Sequence, residues 1–200
     1  VDKQGKPLFP SFVDVLTQIN SVMDESAYSS DSKGDYKGAL CTRLKSLTNG
    51  LYGQIFTNDE LSAEELFDKN VIVDLSRTGS SETKSLIMGL LVMKLQEHRT
   101  SNAEGGNEPL KHVTVLEEAH NILKRTSTEQ LTEGSNVLGK SVEMLANSIA
   151  EMRTYGEGFI IVDQSPTAVD ISAIKNTNTK IVMRLPEAAD CEVVGRSIGL

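Results

Sequence analysis

Two adjacent carboxylates, Glu117 and Glu118, are the strongest candidates for chemistry in this sequence. They follow the apolar, β-branched segment HVTVL, which favours a buried strand that ends at the two acids. Ligands of parallel α/β sheets bind at the carboxyl ends of the strands. One carboxylate there can hold Mg²⁺, directly or through water, while the next activates a water that attacks a phosphate. The alternative is that both acids only open a helix, whose dipole favours negative charge.

A neutral amide ends the next apolar segment along the chain. GFIIVDQS covers residues 158–165 and places Gln164 just after its apolar part. An amide at a strand end can sense the γ-phosphate of a nucleotide or position the attacking water. The alternative is a glutamine that bonds only to its own loop. We interpret His120, which follows the two acids, as a cap or a core neighbour rather than a ligand.

Two arginines are candidates for stabilising charge on a reacting phosphate. Arg153 closes the helical pattern that leads into residues 158–165, and Arg184 ends another apolar segment just before Pro186. Each guanidinium could act as a charge-stabilising finger. Each could equally be a surface charge or a cation at the end of a helix.

The sequence also contains a full match to the phosphate-loop pattern G-x-x-x-x-G-K-[ST], GSNVLGKS from Gly134 to Ser141. A working phosphate loop joins the end of a buried strand to the start of a helix. The residues before this match, KRTSTEQLTE, are polar and cannot form a buried strand. We therefore interpret the match as a coincidence and expect Lys140 in the opening turns of a helix. A small NTPase that grips its nucleotide with Lys140 stays open as an alternative.

The elements that must position these residues are predicted from hydrophobic patterning. Apolar, β-branched runs predict strands at 70–76, 112–118, 158–165 and 179–185, and helical patterns lie between them at 85–99 and 141–153. Continuous rather than alternating hydrophobicity predicts strands buried on both faces. The alternation of strand and helix predicts an α/β fold with a mostly parallel sheet and flanking helices.

The first 60 residues have a different pattern and predict a helical insertion attached to the sheet. Ser11 is a candidate N-cap for a first amphipathic helix. Residues 29–35 are polar and predict a loop, a second helix is expected to close at Gly50, and LYGQIF at 51–56 predicts a short strand.

Composition narrows the class of protein. The 200 residues suffice for one α/β domain, and the net charge of −8 argues against a broad basic surface. Cys41 and Cys191 lack further ligands at metal spacing, so we expect two reduced, buried thiols and a cytoplasmic location. No apolar run approaches the roughly 18 residues of a membrane span, so no membrane partner is expected.

The order of these motifs resembles the HerA/FtsK superfamily of ring ATPases, most closely the bacterial HerA-like ATP-binding proteins. The resemblance covers residues 70–200 and rests on VIVDLSRTGSSETKSLIMGLLVMKL, VTVLEEAH, LANSIAEMRTYGEGFIIVDQSP and NTNTKIVMRL. It implies a partial RecA-like P-loop NTPase core at 61–200, with the Walker B strand, the sensor strand and the strand after it, and makes 1–60 the insertion. No phosphate loop precedes residue 70, so we expect a segment of a longer protein whose phosphate loop lies upstream of Val1.

The resemblance also implies roles for individual residues, with ATP and Mg²⁺ as cofactors. Glu117 takes the metal-side acidic position, usually Asp in the family, and Glu118 takes that of the catalytic glutamate. Gln164 matches the sensing glutamine. Arg153 resembles the arginine that reaches the nucleotide of a neighbouring subunit, and Arg184 is the other candidate for that role.

The family implies a homo-hexameric, helicase-like motor that hydrolyses ATP and translocates on double-stranded DNA, with a nuclease or another effector as an optional partner. Candidate DNA loops are 77–84, with Arg77 and Lys84, and 124–135, with Lys124 and Arg125; both could also be ordinary solvated loops. Without its phosphate loop, the chain alone is expected to be inactive. A catalytically inactive, ATPase-like assembly module is a further alternative.

Overall fold

The chain forms two units, Val1–Ser62 and Ala63–Leu200, in a computed structural model that describes residues 10–57, 61–125 and 133–199. Helices dominate both units, and the second unit also contains a two-stranded parallel sheet. Within the described ranges, no helix is long and apolar enough to cross a membrane. Both cysteines are free thiols. Cys41 is buried as predicted, whereas Cys191 is exposed on the last described helix, so the prediction of two buried thiols was wrong for Cys191.

The described residues of the first unit form three helices, α1 (Phe12–Glu25), α2 (Ser30–Thr48) and α3 (Gly50–Ile55). Ser11 caps α1 as predicted: its Oγ accepts a hydrogen bond from the Asp14 backbone N at 3.2 Å. The Asp14 carboxylate in turn accepts from the Ser11 backbone N at 2.8 Å. This reciprocal capping box satisfies two donors that the helix itself cannot.

Two details of the first unit differ from the sequence predictions. Residues 29–35 are not a loop, because Ser29 accepts a hydrogen bond from the Ser32 backbone N and starts α2 there. Polar residues at the start of a helix satisfy its free N–H groups, so a polar run can signal a cap as well as a loop. The segment 51–56 is not a strand, since most of it lies in α3.

The second unit builds its sheet from two of the four predicted strands. Strand β1 (His112–Glu117) pairs in parallel with β2 (Glu157–Val162), from His112 opposite Glu157 to Glu117 opposite Val162. Helix α6 (Glu133–Met152) lies in the connection between the strands, as parallel pairing requires a crossover. The other helices are α4 (Ala63–Phe67), α5 (Ser81–Ser101), α7 (Ile171–Asn176) and α8 (Ala188–Ile198). The mixed α/β class is therefore confirmed.

The predicted strands at 70–76 and 179–185 are not strands in the described part of the chain. Neither segment pairs with another described segment, and Ile72 and Ile181 are 94% and 90% exposed. Apolar, β-branched composition favours a strand only where a neighbouring strand can complete the hydrogen-bonding ladder. The prediction of a strand at 179–185, after the strand at 158–165, is therefore wrong for the described residues.

Only one face of the sheet is covered by the described residues. Leu116, Phe159 and Ile161 pack into the core, whereas Val115 and Ile160, on the opposite face, are 55% and 53% exposed. The prediction of burial on both faces was wrong for this part of the chain, because apolar composition cannot tell which face a helix covers. The core itself is a cluster of buried side chains from α4, α5, α6, α7 and the segments after both strands, among them Val92, Leu95, Ala119, Leu123, Ala146, Met152 and Val169.

A buried polar cluster lies at the amino ends of the two strands. Glu157 Oε1 lies 2.8 Å from His112 Nδ1 and accepts from Thr114 Oγ1 at 2.7 Å. Its other oxygen accepts from Arg99 Nε at 2.8 Å, and Arg99 Nη1 donates to Asp68 at 2.6 Å. The cluster links the start of both strands to the end of α5 and so fixes how the sheet is oriented. The candidate site lies at the opposite, carboxyl edge of the sheet.

Candidate functional site

The parallel register brings two of the predicted site residues together. Glu118 directly follows β1 and Gln164 comes two residues after β2, so both lie at the carboxyl edge of the sheet. They line one cavity of about 280 Å³, which we call the acidic cavity. The other residues that line it are His120, Asp163, Ser165 and Ala168.

Glu118 has a backbone conformation that residues other than glycine rarely adopt. Its φ of 50° and ψ of 48° place it in the left-handed region, immediately before a short 3₁₀ helix, Ala119–Asn121. The Glu118 carbonyl accepts hydrogen bonds from both the backbone N and the side-chain Nδ2 of Asn121, each at 2.9 Å. Such conformations cost free energy and are concentrated at functional sites. The left-handed conformation at Glu118 ends the extended direction of β1, and Glu118 lines the acidic cavity.

Lys84 holds the Glu118 carboxylate through an ion pair. Its Nζ donates to Glu118 Oε2 at 2.9 Å from the first turn of α5. This hydrogen bond and the charge of the ammonium lower the pKa of Glu118 below its ordinary value. The sequence analysis placed Lys84 in a loop, either a candidate DNA loop or an ordinary solvated one, but the structure places it in α5 and against the site. Sequence reasoning missed this pairing because 34 residues separate the two side chains.

His120 and Asp163 form a hydrogen-bonded pair beside Glu118. Asp163 Oδ2 lies 2.9 Å from His120 Nδ1 and also accepts from the His120 backbone N at 2.9 Å, while Oδ1 accepts from the Ser165 N at 3.0 Å. Burial by itself would raise the pKa of Asp163, but the hydrogen bonds from Ser165 and His120 outweigh it and lower the pKa. Because the ionised carboxylate only accepts, His120 Nδ1 carries a proton and Nε2 is the atom left for other partners. The prediction of His120 as a cap or core neighbour did not include this pairing.

Glu117 lies outside the acidic cavity. It ends β1 as an exposed residue on the face of Val115, and it has no ion-pair partner among the described residues. No group of three or more His, Cys, Asp or Glu side chains in the described ranges is placed to hold a metal ion. Mg²⁺ nevertheless needs only one or two carboxylates when phosphates and water complete its shell. An exposed carboxylate beside Glu118 fits that requirement, and the metal role of Glu117 stays a prediction.

The two arginines do not join Glu118 and Gln164. Arg153 begins a 3₁₀ helix, Arg153–Tyr155, just before β2, at the amino edge of the sheet. A strand of six residues spans about 20 Å, which separates Arg153 from the carboxyl edge. Arg184 is exposed in the unpaired segment 179–185 and makes no hydrogen bond to another described residue.

The apparent phosphate loop, residues 134–141, lies within α6, which begins at Glu133. In a helix, backbone N–H groups beyond the first four bond to carbonyls of the preceding turn. They are then not available to converge on a phosphate, as a phosphate loop requires. Lys140 follows in the helix as predicted. Of the predicted loop 124–135, residues 126–132 lie outside the described residues.

The carboxyl edge thus combines an ionised carboxylate on a left-handed backbone, an amide, and a histidine whose Nε2 bonds to no described residue, all around one cavity. Such a set can accept a proton from water, orient that water and hydrogen-bond to a phosphate oxygen. Comparison of the chain with protein-family models, with curated proteins and with solved structures gave no match.

Proposed function

We propose that this chain carries the residues that activate and position water in a Mg²⁺-dependent ATP-hydrolysing site. The site would belong to a DNA-translocating motor of the HerA/FtsK type. The observation that carries the proposal is that Glu118 and Gln164 line one cavity at the carboxyl edge of a parallel sheet. A general base and an amide that positions water are the two side chains that phosphoanhydride hydrolysis needs from that edge.

In this mechanism Glu118 accepts a proton from the attacking water. Its carboxylate is ionised at neutral pH, since Lys84 lowers its pKa below an ordinary value that is already acidic, and its left-handed backbone sets the direction in which it faces. The Gln164 amide hydrogen-bonds to the water or to the γ-phosphate. Glu117 would hold Mg²⁺ directly or through water, and the ion would neutralise charge on the phosphates.

Lys84 acts in this mechanism as a positioning residue. Its ammonium holds one oxygen of Glu118, so that the other oxygen is left to face the water. Replacing Lys84 with methionine removes the group that lowers the pKa of Glu118. The acidic limb of the pH–rate profile should therefore move to higher pH in Lys84→Met. A variant that loses rate without that movement would assign Lys84 a structural role only.

The motor part of the proposal rests on the family resemblance. A hexameric ring places each ATP between two subunits, and an arginine from the neighbour then stabilises the transferred phosphoryl group, an effect of about 10³–10⁵ in rate. Arg153 lies at the edge of the sheet opposite Glu118, which suits a contact with a neighbour's nucleotide better than with its own. Arg184 is the second candidate, and double-stranded DNA is the proposed track.

The test is ATP hydrolysis with Mg²⁺ by a protein that contains this chain together with the proposed upstream phosphate loop, and by its Glu118→Gln variant. Glutamine keeps the shape of the side chain but cannot accept the proton, so hydrolysis should fall by about 10²–10⁴-fold while ATP still binds. Glu143→Gln, which makes the same charge change on the exposed surface of α6, should leave the rate unchanged. Equal measurable rates in all three proteins would contradict the role of Glu118, and no hydrolysis by any of them would favour the inactive assembly module.

A second measurement addresses the alternative of an independent NTPase that uses Lys140. Nucleotide binding by the 200-residue chain is measured before and after Lys140→Ala. The helical conformation of residues 134–141 supports the expectation that the chain shows no tight binding that depends on Lys140. Tight Mg-ATP binding that the substitution abolishes would replace the proposal with that alternative.

A further inference from the structure

A second cavity lies beside the acidic cavity and has the opposite charge. It has a volume of about 260 Å³ and is lined by His120, Lys124, Arg125, Thr167 and Ala168. His120 and Ala168 line both cavities, so the two are neighbours. We call the second one the basic cavity.

Backbone hydrogen bonds fix the walls of the basic cavity. Lys124 forms an isolated antiparallel bridge with Val169, and the Arg125 N donates to the Ala168 carbonyl at 2.9 Å. On the other side of the bridge, the Asp170 N donates to the Leu123 carbonyl at 2.7 Å. These bonds join the segment after β1 to the segment after β2. The two cationic residues therefore project from an ordered backbone rather than from a loose loop end.

The charges at this cavity are not neutralised within the described part of the chain. Lys124 and Arg125 are exposed and form no ion pair with another described residue. Three carboxylates near the cavity are already engaged, since Asp163 accepts from His120, Glu118 is paired with Lys84, and the buried Asp190 accepts from the Thr167 backbone N at 2.9 Å. In a chain of net charge −8, two adjacent cations that form no ion pair with a described residue make one cavity a local site for an anion.

We propose that the basic cavity binds a phosphoryl group, held by Lys124 and Arg125 and bordered by Thr167 and His120. Arginine and lysine donate charge-assisted hydrogen bonds to phosphate oxygens, and arginine can do so with two donors at once. Pockets for drug-sized ligands occupy about 300–1,000 Å³, so 260 Å³ suits a single phosphoryl group better than a whole nucleotide. The proposal concerns binding alone and does not depend on the hydrolysis proposed above.

The test uses the 200-residue chain and inorganic phosphate at constant ionic strength. Binding is measured by calorimetry, and the backbone amide signals of Thr167 and Ala168 are followed by NMR during the titration. Saturable binding with shifts at these two amides is expected. Lys124→Gln combined with Arg125→Gln should weaken binding at least about tenfold, because two charge-assisted hydrogen bonds are lost. Glu118→Gln should leave phosphate binding intact, which separates this proposal from the hydrolytic one.

The matched control is Arg43→Gln combined with Lys45→Gln, two exposed cations of α2 in the first unit. It makes the same change in net charge and should alter phosphate binding less than about twofold. Equal weakening in both double variants would overturn the proposal, as would the absence of saturable binding by the unchanged chain. The NMR shifts of the unchanged chain decide the matter even if a variant fails to fold.

A short DNA duplex is the second probe, because its backbone carries phosphodiesters. If the duplex binds in a way that depends on Lys124 and Arg125 while free phosphate does not bind, these residues contact a nucleic acid backbone, and the phosphoryl site is wrong. If phosphate binds and competes with the duplex at the same residues, the phosphoryl site is supported as the shared contact.

Discussion

Arg99 and Glu157 form a buried ion pair between the last turn of α5 and the first residue of β2. Arg99 Nε donates to Glu157 Oε2 at 2.8 Å, and the two side chains are 7% and 0% exposed. Each partner is also hydrogen-bonded to other groups, the guanidinium to Asp68 and the carboxylate to Thr114. Removing one partner of such a pair lowers the stability of the fold strongly, because the remaining charge stays buried and no water can take the partner's place.

Arg99→Met should therefore strongly destabilise the second unit. We expect the free energy of unfolding to fall by about 3–5 kcal/mol, since the substitution leaves the Glu157 carboxylate buried without its guanidinium partner. Urea denaturation measures the change. Arg196→Met removes an exposed partner of Glu192 in α8 and should cost no more than about 1 kcal/mol. Equal losses in the two variants would show that the buried pair contributes no more than an exposed one.

Two glycine-to-alanine substitutions should change stability in opposite directions. Gly156 has a φ of 84°, and an added Cβ would lie 2.5 Å from the Pro109 carbonyl oxygen, so Gly156→Ala should destabilise by at least about 1–2 kcal/mol. Gly89 lies inside α5 with open space around its Cβ position, so Gly89→Ala should stabilise by about 0.5–1 kcal/mol. Thermal unfolding of both variants checks the two signs. A stabilised Gly156→Ala protein would contradict the positive φ of Gly156 and its close approach to the Pro109 carbonyl.

The stability of the second unit should fall in acid partly because Asp163 must be protonated. Its pKa is lowered in the folded state, so its carboxylate stabilises the fold above the unfolded pKa of about 3.9, and this contribution is lost as the pH falls towards the folded pKa. Asp163→Asn should be less stable at pH 7. Its free energy of unfolding should also change less between about pH 5 and pH 2 than that of the unchanged protein.

The control for this pH dependence is Glu143→Gln, which removes an exposed carboxylate from α6. It should follow the unchanged protein throughout the acid range. If Asp163→Asn loses as much stability in acid as the unchanged protein does, the hydrogen bonds from His120 and Ser165 do not stabilise the carboxylate.

Part of the candidate site followed from the sequence because strand ends are local features. Apolar segments that end in Glu118 and in Gln164 predicted two residues at one edge of a parallel sheet, and they line one cavity. The pairing of Lys84 with Glu118 and of His120 with Asp163 could not be predicted in this way. Each pair joins residues more than 30 positions apart, and charge pairs at such distances leave no periodic signal.

By itself, the sequence determined the mixed α/β class, the Ser11 cap and two parallel strands, which it placed at 112–118 and 158–165 and the structure places at His112–Glu117 and Glu157–Val162, because hydrophobic period and capping act over a few residues. Only the tertiary structure decided that residues 70–76 and 179–185 pair with no described strand and that one face of the sheet is exposed. The physical reason is that a strand needs a neighbouring strand for its hydrogen bonds, and a face of a sheet is buried only where another element packs on it. Composition shows that a segment can have such a neighbour, and only the fold shows whether it has one.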